Sequence, residues 1–79
     1  MGIFSILQLV FFVISNLPAM LKAIREIMEI IQSNKNTQVR AAWNGRLKRT
    51  MKEYKKHRDP ERLGREIKQM RTEFERELG

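Results

Sequence analysis

The chain has 79 residues, 42% of them apolar, and a formal net charge of +7. So short a chain closes one small core at most, and with no Cys and a single His it lacks both a disulfide framework and a full zinc ligand set. Met1 to Leu21 carries no charged side chain, whereas Lys22 to Gly79 carries all 16 Lys and Arg and all nine acids. The mean hydropathy of −0.49 therefore averages two unlike parts. This argues against a secreted mini-protein, a metal finger and a self-contained enzyme, and points to stabilisation by a membrane or by partner subunits.

From Ile3 to Leu21 the chain is apolar except for Ser5, Gln8, Ser15, Asn16, Pro18 and Ala19. As a helix this run reaches roughly 28 Å, barely enough to cross a bilayer. No basic region precedes it and no small-x-small site follows it, so it reads as a retained transmembrane helix rather than a cleaved signal peptide. The excess of Lys and Arg behind it predicts a single-pass membrane protein with the N-terminus outside and the C-terminus cytoplasmic. The alternative is a buried helix of an oligomeric soluble bundle.

Ile3, Leu7, Val10, Ile14, Leu17, Leu21, Ile24, Met28 and Ile31 repeat with alternating four- and three-residue spacing and form a candidate oligomer seam. Ser5, Gln8, Ser15 and Asn16 make a polar face within the span, suited to a neighbouring helix or a wet cavity. Pro18 either kinks this helix or begins a second one after a break at Asn16 or Leu17, so a bend is expected in both cases. Beyond the bend an amphipathic helix is expected, completing a membrane unit over 1–33. A linker at 34–37 ends in an N-cap at Asn36 or Thr37.

Residues 38–79 read as a cytoplasmic helical hairpin. Its first, basic helix has an apolar face of Val39, Ala42, Trp43, Leu47, Met51 and Tyr54, weakened at Asn44-Gly45 by about 1 kcal/mol. His57 and Arg58 suit a helix end, and Asp59-Pro60-Glu61 suits a new start. The second, mixed-charge helix carries a seam of Leu63, Ile67, Met70, Phe74 and Leu78. The fold class is thus all-α: a bent transmembrane helix, its amphipathic continuation, and a hairpin.

Residues 35–58 hold nine Lys or Arg against the single acid Glu53. Arg40, Arg46, Lys48, Arg49, Lys52, Lys55, Lys56 and Arg58 are candidates for binding an anionic surface. Lipid headgroups come first among partners, and nucleic acid is less favoured. Trp43 and Tyr54 could stack on bases, though aromatic residues at helical spacing more often pack in a seam. Part of the basic block serves as a topology signal and solvated face. No nucleophile elbow, phosphate loop or HExxH is present, no cofactor is implied, and His57 with Glu53 reads as a solvated helix end.

Ser5, Ile6, Gln8 and Leu9, then Leu17-Pro18 leading into Lys22, Ala23, Ile24 and Arg25, resemble the start of the twin-arginine translocase pore subunits, TatA. The resemblance covers about 30 residues; it implies that Gln8 matches the family's polar position in a short span and that Pro18 to Gln32 forms its amphipathic helix. The family's Phe-Gly hinge is replaced near Asn16-Leu17, and the two capped helices of the tail depart from its usually unstructured tail. The expected function is a non-catalytic oligomeric scaffold or accessory subunit of a membrane assembly. The alternatives are a holin-like or toxin-like pore former, a translocase component of the TatA kind, and a soluble helical nucleic-acid-binding oligomer.

Overall fold

A polar cap, a proline break and a charged turn divide the described residues into four helices. The structure, a computed structural model, describes the backbone from Ile3 to Leu78 and the side chains from Ile6 to Leu78. Helices α1 (Ile3–Asn16), α2 (Leu21–Ser33), α3 (Thr37–His57) and α4 (Pro60–Leu78) are joined by short connections, with a 3-10 turn at Pro18–Met20 before α2. The described residues contain no strand.

The transmembrane expectation is corrected. The apolar run is interrupted at Leu17, which lies outside the helical region at φ −136° and ψ 74°, because the ring of a following proline disfavours α conformation in the residue before it. Pro18 then opens the 3-10 turn, where its missing N–H costs nothing. The remaining 14-residue α1 is about 21 Å long. Among the described residues no helix is long and apolar enough to cross a membrane, so the single-pass, N-out topology does not hold.

The other boundaries follow local chemistry. The Asn36 side chain accepts hydrogen bonds from the N–H groups of Gln38 (2.9 Å) and Val39 (3.2 Å), which caps α3. At its far end Arg58 adopts the left-handed conformation, φ 55°, and its N–H donates to the Tyr54 carbonyl at 2.6 Å. Asp59 then caps α4 by accepting from the Arg62 N–H at 3.2 Å. Glycine usually fills such a left-handed position; here an arginine does, and its guanidinium has work at α1.

Contacts along the helices define their directions. α3 and α4 are antiparallel, with Trp43 stacked on Phe74 at 4.3 Å and Thr50 bonded to Met70. α1 runs parallel to α3, pairing Phe12 with Tyr54 and Asn16 with Arg58. α2 runs parallel to α4, with Glu26 on Arg71 and Met20 beside Pro60 and Gly64. Two hairpins therefore lie side by side, and α1 and α2 approach each other less closely than either approaches its partner in the second hairpin. All four helices feed one core, in which Val13, Ile24, Ile27, Leu47 and Met51 are fully buried. The radius of gyration, 11.8 Å, matches the roughly 11.6 Å expected of a compact chain of this length.

Where α1 and α2 diverge, a groove of about 260 Å³ opens between Ile6, Leu7, Met28 and Gln32, floored by Asn44, Gly45 and Lys48. Gly45 and Gly64 both sit inside helices, and a Cβ at either would meet no atom within 4 Å. Gly45→Ala and Gly64→Ala should each stabilise the fold by about 0.5–1 kcal/mol through helix propensity alone. Denaturant unfolding measures this, and a loss at either position would mean that the space beside that glycine is occupied in solution.

Candidate functional site

The cations of α3 are arranged by a simple constraint: its apolar row must face the core. Trp43, Leu47, Thr50, Met51 and Tyr54 are buried, which turns Arg49, Lys52 and Lys56 outward, where all three are exposed. Lys48 and Lys55 fall on the flank next to α1, and Arg46 on the flank next to α4. Lys48 is half-buried in the groove wall, Lys55 Nζ lies 5.4 Å from the centre of the Phe12 ring, and Arg40 is half-buried near the helix start.

Only one of these candidates is paired with a carboxylate among the described residues. Arg46 makes a two-pronged contact with Glu73 at 2.6 and 3.2 Å and also lies over the Phe74 ring. No carboxylate is within ion-pairing distance of Arg40, Lys48, Arg49, Lys52, Lys55, Lys56 or Arg58. The one acid of the helix, Glu53, faces His57 at 3.6 Å with both side chains about half exposed. By contrast α4 is laced with pairs, Arg62 with Glu66 and Arg71 with Glu75 and with Glu26 of α2.

The structure disperses the sequence-defined seam. Val10, Ile24 and Ile31 are buried and Ile14, Leu17 and Met28 half-buried, but Leu7 and Leu21 are exposed at 37% and 39%. The bend at Leu17-Pro18 prevents the two helices from presenting one continuous stripe. The Ile3 and Ser5 side chains lie outside the described residues. Gln8, Ser15 and Asn16 are exposed, and Asn16 donates to the Phe12 carbonyl at 2.8 Å. Neither Trp43 nor Tyr54 is available for stacking on a base, since both are buried, at 6% and 7% exposure.

Two features escaped the sequence reading. Phe11, on no predicted seam, is 68% exposed. Phe12, its neighbour, is covered by Lys55 and by the Arg58 guanidinium 4.7 Å from its ring centre, and Arg58 also reaches Asn16 Oδ1 at 3.4 Å. The signal for Phe11 was present: Gln8 and Ser15, at i−3 and i+4 from it, share its face of the helix and mark that face as outward.

No protein-family model, curated protein or solved structure matches the chain.

The Arg46–Glu73 contact gives a pH signature. The two-pronged hydrogen bond from Arg46 holds the Glu73 carboxyl below the usual carboxylate range. A carboxylate with a lowered folded-state pKa stabilises the fold above its unfolded pKa, and that contribution is lost as pH falls through the folded value. Wild type should therefore exceed Glu73→Gln in stability at neutral pH. The gap should close on acidification and shrink in high salt, since the pair is partly solvated; thermal unfolding across the acid range checks both.

Proposed function

We propose that the chain is a non-catalytic docking module that binds an anionic partner through the outer face of α3. The observation that carries this reading is the row Arg49, Lys52 and Lys56, exposed and unpaired on a helix whose opposite side is locked into the core. Lys48, Lys52 and Lys56 stand four residues apart, so they repel one another along the helix. Elsewhere the same chain spaces acids to offset its bases, as on α4. An anionic partner relieves the repulsion that α3 leaves uncompensated, and a helix already held in place loses little freedom on binding.

This retains the scaffold role expected from sequence without the membrane span. A pore lined by Ser5, Gln8, Ser15 and Asn16 needs a crossing helix, and no helix among the described residues is long and apolar enough to supply one. The basic block likewise has no described span to orient, which leaves binding as the use its charge supports best.

Retention of the full chain on a heparin column, eluted by salt, tests the proposal. Arg49→Gln, Lys52→Gln and Lys56→Gln together should move elution to distinctly lower salt, with thermal stability kept or slightly raised as the repulsion along α3 is removed. Neutralising Lys22, Arg25 and Lys68, also exposed but on α2 and α4, should have a much smaller effect. Equal shifts from the two triple variants would reduce the binding to net charge alone and overturn the proposal.

A further inference from the structure

The exposed apolar face of α1 and the cations of α3 form two parallel rows. Because α1 runs parallel to α3, Lys48 stands beside Leu7, and Lys55 and Arg58 stand over Phe12, with Arg58 reaching on to Asn16. Lys55 and Arg58 thus border α1 on its α3 flank. At about 100° per residue, the surface of α1 runs from that flank through the exposed Gln8 and Ser15 to the protruding Phe11 and on to Leu7. α1 contains no acidic or basic side chain.

We infer that this surface seats on an anionic lipid bilayer from one side, with Phe11 and Leu7 entering the headgroup region and Lys48, Lys55 and Arg58 meeting the headgroups; the inference rests on the docking reading for the anionic partner of α3 and extends it to the flank that α3 shares with α1. Apolar side chains beside a basic row are what an interfacial surface requires, the one gaining from burial and the other from the negative surface potential. No helix crosses the bilayer in this arrangement.

Charge and shape separate lipid from the other occupants. Nucleic acid would use the cations but leave the apolar row wet, and the aromatic rings of α3 that could stack on bases are buried. A second copy docked on α1 would add another cation row at the same interface, with no carboxylate on α1 to offset it. Phe11 projects from the surface, a form that suits a soft interface.

Co-sedimentation of the full chain with phosphatidylcholine vesicles, with and without phosphatidylserine, tests the inference. Binding should require phosphatidylserine and fall with salt. Phe11→Ser should weaken it about ten-fold, as expected for an apolar side chain partly removed from water, while Phe11→Trp retains it, tryptophan being favoured at membrane interfaces. Phe11 is exposed enough for both variants to fold, which circular dichroism checks, and Phe11→Ser should leave heparin retention unchanged. Absence of binding to anionic vesicles at low salt, or binding indifferent to Phe11→Ser, would overturn the lipid inference. Vesicle failure with heparin retention intact leaves the docking reading standing on a nucleic acid or acidic protein partner; loss of both removes the two together.

Discussion

The fold turns on the steric conflict between Pro18 and a helical Leu17. Without it, the uncharged run from Ile3 to Leu21 has the composition to continue as one helix, long enough to leave the body of the protein. With it, α1 stops at Asn16 and the chain reverses through a 3-10 turn into α2, so the most apolar segment is returned to the side of α3. The Leu17 N–H still finds the Val13 carbonyl at 2.7 Å, and the Met20 N–H finds Leu17 at 2.9 Å, so the reversal leaves these backbone donors satisfied. The contacts between the two hairpins, from Phe12 on Tyr54 to Glu26 on Arg71, depend on this reversal.

Two aromatic and cationic clusters then hold the hairpins in register. At the open end of the second hairpin, Trp43, Phe74, Arg46 and Glu73 combine a stack, a cation over a ring and a charged hydrogen-bond pair. At its closed end, Phe12, Tyr54, Lys55 and Arg58 tie the turn to α1. Arg58 shows how the levels connect. Its left-handed backbone costs roughly 1–2 kcal/mol relative to glycine, yet only a long side chain at that position can span to both Phe12 and Asn16. The turn thereby serves as a contact between hairpins as well as a connection within one.

Local chemistry was largely legible in the sequence. The Asn36 cap, the Asp59-Pro60 start, the Leu63-Ile67-Met70-Phe74 seam and the basic face of α3 follow from residue type and spacing, because caps, prolines and charge act over a few residues. The error lay in α1. Hydropathy alone cannot separate a membrane solvent from a protein one, since Ile6, Leu9 and Val13 suit lipid as well as they suit α3. A heptad count treated Leu7 and Leu21 as parts of one seam across a bend that places them on different helices. The candidate site was half legible: the cations announced themselves, whereas the alignment of Lys48, Lys55 and Arg58 along α1 depends on which way α1 runs relative to α3, a long-range property no local pattern encodes.

The parallel pairing of the hairpins also has a consequence for biosynthesis. Asn16 meets Arg58 across 42 positions and Glu26 meets Arg71 across 45, whereas the α3–α4 contacts are closer in sequence, as with Thr50 and Met70 at 20. Contacts of long separation form late, and chains are made from the N-terminus at about 5–20 residues per second. The greasiest helix, α1, leaves the ribosome before α3, its cover, is translated. Until α3 emerges, the apolar face that α1 buries in the finished bundle stays uncovered.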